Sequence, residues 1–342
     1  MSSYRLFAAT APGAKYAAKG WECQDVSRTH EARSSQLAVV ADGHGGGAYF
    51  RSRQGADFAV EAVLSQTRRF YEDSPAPEAE KLCFGETGIQ NFKYAIWQEW
   101  RRLVKEHWDK FLTDHSALGE GEPRFEAVGE KYQAYYTSED LKIVSRYLYT
   151  AYGTTLNFAL AIPTQILLTQ IGDGTCVVLC RNGMFHTPVP SDPDNFLNQV
   201  VSLCEPFAYQ KMRHVVIDRK PGTSQEPVAV FLTSDGVDDC YPVYQNEQHL
   251  YKLYTAILEN ILQVGFEKTE AEIKGDLLPT LSGKGSRDDS SLAYLLCNDL
   301  SALQEAYQNI DLELKPAQEQ FPDAEDGKAK DESAATDGIT HE

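Results

Sequence analysis

Leu37-Ala-Val-Val-Ala-Asp42-Gly-His-Gly-Gly46 is the stretch that decides how this chain folds. An unbroken apolar run that stops at Asp-Gly reads as a strand buried on both faces, with the aspartate at its end. Two more segments repeat the arrangement. Val228-Ala-Val-Phe-Leu-Thr-Ser-Asp235-Gly236 closes an apolar run with Asp235, and Ser286-Arg-Asp288-Asp-Ser-Ser-Leu-Ala-Tyr-Leu-Leu296 opens one with Asp288. Strand ends are rigid, so carboxylates placed there are held at fixed separations. Carboxylates that converge without matching Lys or Arg repel one another unless a hard cation sits between them. All-oxygen donors suit Mg²⁺ or Mn²⁺.

Outward from these segments the pattern alternates between blocks of strands and blocks of helices. Residues 4–10, 25–30 and 36–41 read as strands. A helix is predicted over 48–66, a Pro-containing break at 74–79, and a long amphipathic helix over 88–115. Ile89, Phe92, Ala95, Ile96, Trp100, Leu103, Val104, Trp108 and Leu112 form the stripe of that long helix. Residues 116–137 read as irregular, and a helix capped by Ser138 is predicted over 138–151. The period then changes to strand at 154–162, 165–171 and 175–179, followed by a loop over 181–210. Strands near 211–218 and 227–234, helices near 246–265 and 267–280, and a strand over 290–297 complete the series. This order fits an α+β fold: a four-layer αββα sandwich of two antiparallel sheets flanked by helix pairs.

The formal charge of −18 argues against nucleic acid or an anionic membrane as partner, and no run approaches a membrane span. Seven scattered cysteines predict reduced thiols in a cytoplasmic protein. Cys176 and Cys180 share a strand face but have no companion Cys/His pair, so zinc is not expected. From Asp299 onward twelve acidic residues face three basic ones, half the charge of the chain. The expected organisation is therefore a domain over 1–298, with an extended helical segment at 75–151. An acidic tail over 299–342 follows, disordered over 316–342.

Six short pieces carry a resemblance. They are Cys23-Gln24-Asp25, Ala41-Asp42-Gly43-His44-Gly45-Gly46, Gly153-Thr154-Thr155-Leu156, Ile171-Gly172-Asp173-Gly174, Thr233-Ser234-Asp235-Gly236 and Ser286-Arg287-Asp288-Asp289. In this order, over about residues 20–297, they resemble the metal-dependent Ser/Thr protein phosphatases of the type 2C family in its bacterial form. The resemblance implies that Asp42 bridges two Mn²⁺ or Mg²⁺ ions and that the Gly43 carbonyl binds one of them. Asp235 and Asp288 complete the first ion, Asp173 serves a third, weaker ion, and Asp25 stands by the second as a ligand or behind one. It also implies that His44 is the general acid for the leaving alkoxide. The family's eukaryotic members hold phosphate with an arginine that this chain lacks. Lys15 and Lys19 are the nearest cations, and Lys19 is the candidate. Gly153-Thr154-Thr155 reads as structural, a strand start after a glycine cap.

The implied activity is hydrolysis of phosphoserine and phosphothreonine in proteins by a hydroxide between two ions, reversing a cognate Ser/Thr kinase. No Cys-x5-Arg loop is present, which excludes a cysteine phosphatase. Two other readings stand beside this one: a catalytically weak phosphoprotein-binding regulator on the same fold, and a metallohydrolase of small phosphate esters. Retention of Asp42, Gly43, Asp235 and Asp288 favours the active enzyme.

Overall fold

The computed structural model describes residues 4–73, 84–114, 125, 128–190, 192 and 200–312. Its ten strands are β1 (Tyr4–Ala11), β2 (Val26–Glu31), β3 (Gln36–Ala41), β4 (Leu156–Ala161), β5 (Gln165–Ile171), β6 (Thr175–Cys180), β7 (Phe185–His186), β8 (Arg213–Asp218), β9 (Pro227–Thr233) and β10 (Ser290–Cys297). They form two antiparallel five-stranded sheets, in the orders β1-β10-β9-β6-β7 and β2-β3-β4-β5-β8. The expected sandwich is what the chain forms.

Alternation along β3 and β4 builds both sides of their sheet. Ala38, Val40, Ala159 and Ala161 pack with Val178, Val230, Ala293 and Leu295 of the other sheet. Leu37, Val39, Phe158 and Leu160 join the layer made by the helices Ser52–Thr67 and Glu86–Asp114. The long helix buries Ile89, Phe92, Ile96, Trp100, Val104 and Trp108, the stripe its spacing predicts. Trp100 donates its indole N–H to the Gly55 carbonyl at 2.9 Å. Gly55 is required there, since a Cβ would meet the Tyr152 carbonyl oxygen at 1.9 Å. Truncating a fully buried tryptophan of this kind costs about 3–5 kcal/mol.

On the other sheet lie the helix Asn246–Val264 and a second helix that runs from Phe266–Glu272 through a π-helical turn, Ile273–Leu277, to Leu278–Lys284. No described helix is long and apolar enough to cross a membrane.

The structure differs from expectation at several places. The helix predicted over 138–151 is a shorter one, Leu141–Tyr147, followed by a 3-10 turn, Leu148–Tyr152. Its cap is Asp140, whose carboxylate accepts from the Lys142 N–H at 2.9 Å. Ser138 instead accepts from the Asp140 N–H. The segment expected to be irregular at 116–137 contains the helix Glu130–Tyr136, and the loop over 181–210 contains β7 and part of the short helix Ala208–Lys211. The compact unit runs to Leu312 rather than to 298. Asp299 caps a helix, Leu300–Asn309, that buries Ala302, Leu303 and Ala306. Charge counting hid that helix because its short apolar face, two alanines and a leucine, sits among acidic residues. The Pro-containing break at 74–79 and the tail over 316–342 lie outside the described residues. Cys176 and Cys180 are free thiols buried in the apolar layer.

Candidate metal centre

Strand ends from both sheets meet at one edge of the sandwich. In one sheet Ala41 of β3 lies opposite Val26 of β2, and Leu156 of β4 lies opposite Ile171 of β5. In the other, Thr233 of β9 lies between Thr175 of β6 and Leu292 of β10. Asp25, Asp42, Asp173, Asp235 and Asp288 stand just beyond these ends, so the registers bring all five to the same edge. Asp173 occupies the turn where the chain passes from one sheet to the other.

Asp42, Asp173 and Asp235 are the tightest group. One carboxylate oxygen from each lies within 4.8 Å of the others. Burial, then the Asp235 and Asp25 charges, push Asp42 well above the usual carboxylate range. Burial, then Asp235, push Asp173 up to about 7. Asp25 is fully buried and is pushed up to about 7, chiefly by that burial. Its Oδ2 accepts from the Ser234 hydroxyl at 2.7 Å, while no donor among the described residues reaches its buried Oδ1. Clustered acids of raised pKa and an orphaned carboxylate oxygen are the electrostatic signature of a site made for positive charge. The donors are all oxygen, which fits Mg²⁺ or Mn²⁺.

Asp42 owes its position to Thr154 and Thr155. The Thr154 hydroxyl and the Thr155 N–H both donate to the Asp42 carbonyl at 2.8 Å, and the Asp42 N–H donates to the Thr155 hydroxyl at 3.1 Å. The Gly-Thr-Thr piece, read from sequence as structural, is thus what fixes the central carboxylate. Gly43 bridges to Thr154 and has no room for a side chain, since a Cβ would lie 2.7 Å from the Ser52 carbonyl oxygen. The Gln24 amide nitrogen, turned to satisfy its neighbours, donates to the Gly43 carbonyl at 3.1 Å.

Asp288 stands apart from the tight group. Its Oδ2 accepts from Lys15 Nζ at 2.7 Å and its Oδ1 accepts from the Asp289 N–H at 3.0 Å. Asp235 and Asp288 are joined indirectly, through Ser286, whose hydroxyl donates to the Gly236 carbonyl at 2.7 Å. A cleft of about 420 Å³ lies over the group, lined among others by Lys15, Lys19, His44, Asp42, Asp173, Asp235 and Asp288. Lys19 rests on the Trp21 ring, 4.5 Å from its centroid. Lys15 is therefore the cation paired with a proposed ligand, while Lys19 lines the same cleft against Trp21.

His44 packs against Tyr49, with ring centroids 4.8 Å apart, and burial pushes its pKa down to about 4. That direction favours the neutral imidazole, whose N–H can donate.

Sequence reasoning left out several contributors. Asp289 accepts from the Gly13 and Gln24 N–H groups, each at 2.6 Å, and so ties two segments to the loop that carries Asp288. Arg213 donates to the Gly172 carbonyl at 2.5 Å, beside Asp173. The Asp288-Asp289 pair was visible as a dipeptide. The Arg213 contact spans 41 residues and left no local signal.

The profile of the family described as protein phosphatase 2C matches residues 12–274. Among solved structures, the chain is similar to the serine/threonine phosphatase PstP of Mycobacterium tuberculosis, with 16% identity over 86% of this chain and 99% of that one and a TM-score of 0.45. The catalytic domain of PstP has also been solved in complex with two manganese ions, and there the identity is 16% over 87% of this chain and 100% of that one, with a TM-score of 0.45. The serine/threonine phosphatase Stp1 of Staphylococcus aureus is 13% identical over 87% and 96%, with a TM-score of 0.48. No curated protein matches the chain.

Proposed function

This chain belongs to the protein phosphatase 2C family, and we propose that it hydrolyses phosphoserine and phosphothreonine in proteins with the help of Mn²⁺ or Mg²⁺. The observation that carries this reading is the gathering of Asp42, Asp173 and Asp235 within 4.8 Å at the ends of strands from both sheets. These three would hold one ion. Asp25, with its orphaned Oδ1, and the Gly43 carbonyl would serve a second beside Asp42, and Asp288 would complete the set. Two such ions would neutralise the cluster and supply Lewis acidity for activating water and spreading charge off the phosphoryl group, and a further, weaker ion would share Asp173.

The chain's own residues do the positioning. Thr154 and Thr155 lock the backbone of Asp42, and Ser234 locks the carboxylate of Asp25. Neutral His44, on the cleft wall, offers an N–H toward charge developing on the leaving seryl or threonyl oxygen. Lys15 and Lys19 supply positive charge to a cleft otherwise lined by carboxylates. In the cell such an activity reverses a Ser/Thr kinase, and we place it in the bacterial cytoplasm.

The test is purified protein on a phosphothreonine peptide, with Mn²⁺ or Mg²⁺ supplied or chelated. Phosphate release is expected only with metal. Full turnover in excess chelator would refute the reading.

A further inference from the structure

Lys15 and Asp288 are 273 residues apart in sequence and 2.7 Å apart in space. Their main chains are fastened together as well. The Lys15 N–H donates to the Arg287 carbonyl at 2.9 Å, and the Gly13 N–H donates to Asp289 Oδ1 at 2.6 Å. A side chain at Gly13 would meet the Asp288 carbonyl carbon at 2.4 Å. Arg287 holds a φ of 65°, a left-handed conformation uncommon for a residue with a side chain. The ammonium also lies over the Tyr16 ring, 4.7 Å from its centroid. Anchored in this way, Lys15 can swing its four-carbon stem but cannot leave the cleft mouth. The other charged groups lining that cleft are Asp42, Asp173, Asp235 and Lys19.

We propose that Lys15 is an exchangeable counter-ion of Asp288: a divalent cation that takes Asp288 displaces the ammonium, and the displaced ammonium then receives the phosphate of the substrate. This rests on the metal-dependent reading above. Asp288 Oδ1 accepts a backbone N–H and Oδ2 accepts the Lys15 ammonium, so a cation that takes Oδ2 competes with Lys15 for it. Two cations on one carboxylate oxygen repel each other. The Lys15 and Asp288 side chains are 45% and 26% exposed, so their pair is a weak one that a divalent ion can break. Once released, Lys15 still has Asp239 and the Tyr16 hydroxyl beside it, and a phosphate anion in the cleft, carrying more negative charge than either, is the stronger acceptor. Metal and phosphate binding are thereby linked, each favouring the other.

The test is calorimetric titration of Mn²⁺ into wild type, Lys15→Met, Lys15→Arg and Lys19→Met, then of inorganic phosphate into each at saturating Mn²⁺. Thermal melts confirm folding. Lys15→Met should bind Mn²⁺ about two- to fivefold more tightly, since one weak competing ion pair is gone. It should bind phosphate about tenfold or more weakly, the worth of a charge-assisted hydrogen bond. Lys15→Arg, which keeps a cation, should retain more phosphate affinity than Lys15→Met, and Lys19→Met should lose less. Unchanged or weaker Mn²⁺ binding by Lys15→Met overturns the exchange. Wild-type phosphate affinity in Lys15→Met, or a larger loss in Lys19→Met, overturns the phosphate half. A wild-type protein that takes up no Mn²⁺ overturns the metal reading itself, which the wild-type arm tests alone.

Discussion

Raising the pH in the presence of a chelator should destabilise this protein, opposite to the usual behaviour of buried, ion-paired carboxylates. Asp25 is pushed up to about 7 from an ordinary value of 3.8 because it is buried beside other acids. A carboxyl whose folded pKa lies above its unfolded pKa favours the fold while protonated. That stability is full at low pH and is lost as pH rises to the folded value. Between pH 5.5 and 7 the loss is about 1.4 kcal/mol per pH unit, so Asp25 alone removes about 2 kcal/mol. Asp173, also raised to about 7, adds less, because it opens to the cleft and solvent screens it. Asp42 and Asp238, also raised by burial, act in the same direction, so about 2–3 kcal/mol is a floor, and it corresponds to a fall in Tm of at least about 3–5 °C for a domain of this size. The assay is thermal melting in EDTA at pH 5.5 and pH 8, repeated with Mn²⁺. Mn²⁺ should raise Tm more at pH 8, where its ligands are already deprotonated. A Tm in EDTA that is flat or rises with pH, or a Mn²⁺ increment equal at both pH values, would show that these acids do not form one strained cluster.

Asp42→Asn and Asp235→Asn should each lower kcat by at least about 10²-fold with the circular dichroism spectrum retained, and near-normal turnover in either would remove the two-ion assignment. Asp173→Ala should act mainly on the Mn²⁺ concentration needed for half-maximal activity; an unshifted metal curve would make that residue part of a simple turn. Thr155→Val leaves the Asp42 N–H without its acceptor and should cost about 1–3 kcal/mol in urea unfolding while weakening Mn²⁺ binding. In Gly236→Ala the new Cβ would sit 1.8 Å from the Asp289 carbonyl oxygen, so the Asp235 and Asp288 loops must separate; calorimetry should show weaker Mn²⁺ binding, and unchanged affinity would mean the loops give way without moving the carboxylates.

The parts legible in the sequence were those dictated by local pattern. Gln36–Ala41, Gln165–Ile171 and Ser290–Cys297 are strands at the residues their apolar runs indicate, because a run buried on both faces leaves no ambiguity of phase. The acidic residues at their ends were legible for the same reason. What failed to show was whatever depends on a competing partner. Ser138 and Asp140 are both good caps, and only the folded geometry selects Asp140. The helix Leu300–Asn309 was masked by its acidic surroundings, although Ala302, Leu303 and Ala306 share one face. Asp173 rather than Asp288 groups with Asp42 and Asp235, and Asp288 pairs with Lys15, a pairing 273 residues apart that no spacing rule could indicate.

Asp42 follows a strand of one sheet, Asp235 follows a strand of the other, and Asp173 lies where the chain crosses between them. The distance between these carboxylates is thus a thickness: that of the filling between the two sheets. Small side chains such as Ala38, Ala159 and Ala293 lie in that filling. A larger residue at Ala159 would pry the layers apart and widen the gap between Asp42 and Asp235 without touching either. Mg²⁺ demands tight octahedral distances near 2.1 Å, whereas larger ions accept looser cages. The choice of ion can therefore be retuned from deep inside the sandwich, by residues that no inspection of the cleft would single out.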